Sequence, residues 1–248
     1  MNQQGVMGGQ RIQLFQTNNG SCPYRESGVW ENLSFYTSEL SDAAYASLLN
    51  QGFRRSGNSI YHPICQNCES CIPIRVDVNR FTPSKSQRRT WRRNQDLRVV
   101  SRSTEFSDAA YDLYRRYQIG WHKSDSGLDA EDFHEFLVSS PVSTEMLHYH
   151  LGDQLIGIGW VDCLPQMLSS VYFIFDPEFA ARRLGVYSLL CEIEYCRRLG
   201  LPWLYLGYWV PDSQKMGYKA EYRPAEVLVC GQWRLLNQFP KTTKPIGA

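Results

Sequence analysis

The sequence predicts an α+β protein: a small N-terminal domain with a Cys-rich loop, followed by a mixed-sheet domain. Three observations carry this reading. Strand-like runs at 147–150, 155–161 and 169–175 follow one another, and Gly152-Asp153 makes a tight hairpin between the first two. The amphipathic stretch Leu184–Leu199, ended by Gly200, leads into a strand at 204–206, so antiparallel hairpins give way to strand–helix–strand. Composition changes around 103–107, which divides the chain into 1–103 and 104–248.

Taken in order, residues 1–20 read as a flexible, polar leader. Ala44, Leu48 and Leu49 recur at helical spacing, and Gly52 ends that short helix. Gly57, Asn58, Pro63 and Pro73 punctuate the Cys-rich loop. Val76 and Val78 alternate with Asp77 and Asn79, the period of a half-buried strand. Pro83-Ser84 starts a helix with Ser84 as its cap. At 100° per residue, Lys85, Arg88, Arg89, Arg92 and Arg93 fall within an arc of roughly 140°, and Trp91 points away towards the core. Ala109, Leu113 and Tyr117 mark a helix over 106–117, 120–128 reads as a mobile loop, and 131–138 as another short helix. There is no internal repeat.

With 43% hydrophobic residues among 248, a buried core is available and global disorder is excluded. No run approaches the ~20 apolar residues that span a bilayer, and the first twenty residues lack the apolar centre of a signal peptide. A soluble, cytoplasmic chain without a membrane partner is expected, in which the eight cysteines are reduced. Charge is balanced overall at +1, but residues 75–102 carry nine cations and two acids, a net +7 that leaves −6 elsewhere. Five cations on one helical face repel one another, and a phosphate backbone relieves them.

Cys65, Cys68 and Cys71 form a double C-x-x-C, and Cys22 beside Pro23 supplies a fourth thiol. The spacing suits thiolates converging on a zinc ion or an iron–sulfur cluster; it equally suits a reduced loop packed on the core. Phe175-Asp176-Pro177 ends a strand just before a helix, a place where ligands collect, although Asp before Pro is also an ordinary turn. The run from Lys215 through Tyr218 and Lys219 to Arg223 interleaves cations with rings, as in contacts with single-stranded RNA ends, or as in a plain surface loop. Signatures of P-loop, dinucleotide, serine-hydrolase and zinc-protease sites are all missing.

Several longer stretches are shared with a known family. They are Gly52-Phe53-Arg54-Arg55-Ser56-Gly57, Tyr61-His62-Pro63 running into the cysteines, Pro73-Ile74-Arg75-Val76, and Phe81 through Arg89. They continue with Ser169-Ser170-Val171-Tyr172, Asp176-Pro177, Leu184 through Ser188, Tyr205 through Tyr208, and Lys215 through Pro224. Together they resemble the bacterial aminoacyl-tRNA–protein transferases, the aspartate/glutamate leucyltransferase group related to the eukaryotic arginyl-tRNA–protein transferases. The sequence departs from the eukaryotic pattern in its cysteines: Cys22 is followed by Pro23, and an adjacent Cys-Cys is replaced by the spaced cluster.

The resemblance implies a GNAT-like C-terminal domain. It also implies transfer of leucine from Leu-tRNA to the α-amine of proteins beginning with Asp or Glu, as a degradation signal of the N-end-rule kind. On this reading Asp176 and Tyr172 serve catalysis, and Arg75, Lys219 and Arg223 are the cations that meet the acidic acceptor. Lys85, Arg88, Arg89, Arg92, Arg93, Lys215 and Tyr218 contact the tRNA. The aminoacyl ester is already activated, so no nucleophilic side chain and no cofactor is required. Arginyl transfer, an acyl-CoA-dependent N-acetyltransferase and a non-catalytic RNA-binding module are the alternatives. Tyr187 argues against CoA, because it replaces the last small residue of a pyrophosphate loop at 182–187.

Overall fold

In a computed structural model of the chain, residues 3–7, 10–26 and 28–238 are described. The first sheet contains β1 (Gln3–Met7), β2 (Gln10–Ser21), β3 (Val29–Tyr36), β4 (Arg54–Ser56) and β5 (Ser59–Pro63), in the order β1-β2-β3-β5-β4. The described part of the leader expected to be flexible is therefore strand. Phe15 lies opposite Ser34, and Leu14 packs on the core around Phe35. Helix α1 (Asp42–Asn50), capped by Ser41, buries Tyr45, Leu48 and Leu49 against this sheet.

The second sheet is mixed and has eight strands. It uses β6 (Ile72–Asp77), β7 (Leu97–Ser103), β8 (Thr144–Leu151), β9 (Gln154–Leu164) and β10 (Met167–Phe175). It is completed by β11 (Trp203–Trp209), β12 (Ala225–Val229) and β13 (Gln232–Leu235), in the order β13-β12-β6-β11-β10-β9-β8-β7. Two of its strands, β6 and β7, thus precede residue 104. The strand around Val76 keeps the expected alternation, with Val76 and Val78 buried and Asp77 and Asn79 less so, while Ile72, Pro73 and Ile74 before it are all buried. Strands β11 and β12 pair with its two edges.

Four helices cover this sheet. Helix α2 (Lys85–Arg93) begins with a capping box in which Ser84 and Gln87 satisfy each other's backbone. Helix α3 (Asp108–Tyr117) and the short α4 (Ala130–Phe133) pack their buried rings on one face. Helix α5 (Leu184–Leu199) covers the other face and ends at Gly200, whose φ of +70° makes the expected left-handed cap. Residues 118–122, which overlap the start of the mobile loop expected at 120–128, continue α3 as a π-helical turn. Among the described residues no helix is long and apolar enough to cross a membrane.

The two sheets are fastened by adjacent arginines on β4 that point to opposite sides. Arg55 donates from Nε to both Asp162 oxygens at 3.0 Å and from a terminal nitrogen at 2.6 Å, and also reaches Gly57 and Thr144. The pair is almost completely removed from solvent. Arg54 crosses to β10, donating to Ser169 Oγ at 3.0 Å and the Ser170 carbonyl at 2.6 Å.

Candidate active site

Parallel strands β10 and β11 pair only from Met167–Trp203 to Ser169–Tyr205. Beyond that level each strand carries an irregularity against its other neighbour, β10 between Ser170 and Tyr172 and β11 between Tyr205 and Gly207. Two bulges at one level bend the strands apart and open a split in the sheet. Such a split exposes backbone polar groups and side chains from both strands to a ligand.

Arg54 lies at the point of divergence. Gly207 has φ +82°, and a Cβ there would stand 3.3 Å from an Arg54 terminal nitrogen, so the glycine serves both the backbone turn and the guanidinium. Lys219, on the 3₁₀ turn Gly217–Glu221, donates to the Tyr208 carbonyl at 3.0 Å. Burial and the nearby Arg54 charge lower its pKa to about 7, against a smaller opposing effect of Cys71. Among the described residues neither Arg54 nor Lys219 has a carboxylate within ion-pairing distance. A buried guanidinium near a lysine that burial holds close to its neutral form, without an acid, makes a site that favours an incoming anion, which would draw Lys219 back to its charged form.

Tyr172 borders the opening. Its hydroxyl accepts from Gln118 Nε2 at 3.2 Å, its ring meets Tyr117 and Phe136 edge-on, and burial pushes its pKa up to about 12. Tyr218, expected to contact RNA, is 41% exposed and near enough to Tyr117 to affect its ionisation. Burial and then the charge of Lys215 lower the pKa of His122, whose ring packs on Tyr117. Tyr172 and the segment carrying Lys215 and Tyr218, more than forty residues apart, thus meet through Tyr117 and His122.

The remaining expected site residues stand otherwise. Asp176 is buried with both carboxylate oxygens engaged: one pairs with Arg116, and the other accepts from the Glu178 N–H as the cap of the turn Pro177–Arg182. Each oxygen thus holds a partner within the protein, which commits the carboxylate to bracing the turn. Arg75 pairs with Glu226 at 2.6 and 2.9 Å, donates to Tyr205 Oη, and stacks on Trp203 and Trp233. These partners brace β6 against β11 and β12. Arg223 is exposed and donates to the Ala220 carbonyl.

All five cations of α2 are exposed, and Trp91 turns inward onto Tyr187. The helix is fastened near the N-terminal end of α5: Arg183 donates to Ser86, and Arg93 to the Ala181 carbonyl. Since β10 leads through 176–183 into α5, the basic face stands at the end of the sheet where the split opens. Tyr187 is buried among Trp91 and Tyr149 rather than projecting over a phosphate loop.

Around the cysteines, burial pushes Cys71 up to about 12, with the charges of Cys65, Cys68 and Cys22 adding to it. Burial of Cys68 opposes its ionisation, but hydrogen bonds from Ser70 and Arg25 outweigh it and lower its pKa. Cys65 exchanges contacts with the Glu31 backbone. The four thiols are neighbours, yet among the described residues no three His, Cys, Asp or Glu side chains come together as a metal-binding set. The arrangement does not fit a preformed zinc or iron–sulfur site, and no chemical step is assigned to one.

Sequence reasoning missed Arg54, Arg55, Gln118, Asp162 and Glu192. The consecutive arginines stand within a shared motif, but their burial depends on strands more than a hundred residues away.

The α+β architecture, with a split between parallel strands ringed by cations and tyrosines, is that of a group-transfer enzyme. Two family models match, arginine-tRNA-protein transferase N terminus over residues 20–89 and C terminus over residues 109–229, and the chain belongs to this transferase family. It is 39% identical over 231 residues to the aspartate/glutamate leucyltransferase of Thiobacillus denitrificans, covering 92% of this chain and 96% of the relative. The aspartate/glutamate leucyltransferase of Nitrosococcus oceani is 41% identical over 222 residues, covering 88% and 93%. Among solved structures, a C-terminal DUF2156 domain from Agrobacterium fabrum aligns with TM-score 0.48 and 9% identity over 84% of this chain and 70% of that one.

Proposed function

We propose that this protein transfers leucine from Leu-tRNA to the α-amine of proteins beginning with Asp or Glu, in the cytoplasm and without CoA. The observation that carries the reading is the buried basic pair Arg54 and Lys219 at the mouth of the split, with no carboxylate within ion-pairing distance among the described residues. An acidic acceptor side chain supplies the missing anion and brings its own α-amine to the opening. The exposed face of α2 holds tRNA phosphates at the same end, which delivers the aminoacyl ester. The ester is attacked directly by the amine, so the protein's work is to hold two substrates in register and manage one proton. Leucine over arginine rests on the relatives' names.

The test is to incubate the protein with Leu-tRNA or Arg-tRNA and peptides beginning with Asp, Glu, Lys or Ala, and to read the products by mass spectrometry. Leucyl-Asp and leucyl-Glu peptides are expected. Acetylation from acetyl-CoA with no product from charged tRNA overturns the reading.

Acceptor selectivity gives a sharper expectation. The wild type prefers Asp over Asn peptides, and Lys219→Met reduces that ratio by about 10-fold or more, because a desolvated charge pair is lost. Arg75→Ala instead lowers the melting temperature by several degrees as β6 loses its brace to Glu226, and its activity falls only with the folded fraction. A folded Lys219→Met enzyme with an unchanged Asp-to-Asn ratio removes Lys219 from the acceptor site.

A further inference from the structure

Glu192 lies on the inner face of α5 with 0% exposure, and neither carboxylate oxygen has a hydrogen-bond partner of good geometry among the described residues. A carboxyl in that position is costly, and a core helix would ordinarily carry an apolar residue there. Glu192 Oε1 faces Gly159 of β9, where an added Cβ would stand in ordinary contact at 3.8 Å. The hydroxyl near enough to stabilise its charge is that of Ser170, the first residue of β10 beyond the paired stretch and itself half-buried at the split, although the two make no hydrogen bond of good geometry. Tyr218 and Tyr222 are affected by its charge from the turn over β11, Tyr149 from β8, and Cys191 and Cys196 from its own helix. No Arg or Lys acts on it. Thus a carboxyl without a cation or a full set of donors closes the split from behind, one hydroxyl away from the opening.

Resting on the transfer reaction proposed above, we infer that Glu192 is the proton-accepting positioning residue of the reaction, acting on the substrate amine through the Ser170 hydroxyl. The step balances as follows. The step runs in the fraction of enzyme whose Glu192 is ionised, a fraction that grows as pH rises towards 8: the acceptor's α-ammonium gives a proton to Ser170 Oγ as Ser170 gives its own to the Glu192 carboxylate. The neutral amine attacks the ester carbonyl carbon, the C–N bond forms and the C–O bond to the ribose breaks. The second nitrogen proton passes to the leaving ribose oxygen, and Glu192 later returns its proton to solvent. Burial raises the Glu192 pKa to about 8, close to the ~7.7–8.0 of a free α-amine, so the proton moves between groups of nearly equal affinity.

The experiment compares the full-length wild type with Glu192→Gln, which keeps shape and volume, using Leu-tRNA and an Asp-initiated peptide. The variant should fold, with kcat lower by about 10²-fold and KM for both substrates within about twofold. An acceptor whose terminal nitrogen is already neutral at pH 7, an α-hydrazino peptide, should bring the variant to within about tenfold of the wild type, since it has no proton to surrender. A second readout is independent of turnover. The raised pKa means the folded wild type holds a proton that the unfolded chain loses, so its stability relative to Glu192→Gln falls as pH rises from about 4.5 to about 8. A wild type that transfers leucine while Glu192→Gln keeps pace overturns this assignment alone, as does a folded variant equally slow with both acceptors. A wild type that transfers nothing overturns the proposed function and this assignment with it.

Discussion

Arg55→Ala is expected to destabilise the protein by about 3–5 kcal/mol, the cost of leaving a buried charge without its partner. Asp162 has no exposure and receives three contacts from Arg55, supported only by the Thr144 hydroxyl once the guanidinium is gone. For a chain of this length that loss lowers the melting temperature by roughly 6–20 °C. Asp162→Asn in the Arg55→Ala background should recover much of it, because the uncompensated charge and not the missing attraction dominates the penalty. Calorimetry of the single and double variants measures this. A melting temperature within 2 °C of wild type for Arg55→Ala would show that water reaches Asp162.

Replacing Arg88, Arg89, Arg92 and Arg93 together by Ala is expected to weaken tRNA binding by about 10²-fold at low salt, and to flatten the dependence of log Kd on log salt by roughly three. These side chains are exposed, and only Arg88 and Arg93 contact the protein, through backbone carbonyls. The melting temperature should therefore hardly move. A salt titration by fluorescence anisotropy distinguishes the possibilities: an unchanged slope with unchanged affinity would mean that the basic face meets only solvent. The expectation differs in kind from that for Arg55, where the same residue type acts through burial rather than release of counterions.

Those two cases show what the sequence made legible. Helix α2 was readable because its cap, its period and its like-charged face are all local properties of nine residues. Helix α5 and the hairpin at Gly152-Asp153 were readable for the same reason, and Gly200 stands where only a left-handed cap is required. The pairings of β1 to β5 and of β12 with β13 were not readable, since strand pairing depends on neighbours in space more than on local sequence. Arg54 and Arg55 were visible only as part of a shared stretch, and nothing local says that β4 sends them to opposite sides, where each meets a partner 107 or more residues away. Asp176 carried the right chemistry for catalysis in sequence, but the turn it caps and Arg116 occupy both its oxygens. Glu192 sat on a helix face whose apolar pattern concealed it.

Strand β6 lies between β11 and β12, which follow it by about 130 and 150 residues. During synthesis, residues 72–77 therefore leave the ribosome long before either flanking strand exists, and Ile72, Ile74 and Val76 remain apolar edges awaiting cover. The centre of the sheet cannot close until residue 227 has emerged, so the order of synthesis and the order of assembly run in opposite directions. A nascent chain stalled before β11 is consequently the species most in need of a chaperone, and truncation there yields an aggregating fragment rather than a smaller folded unit.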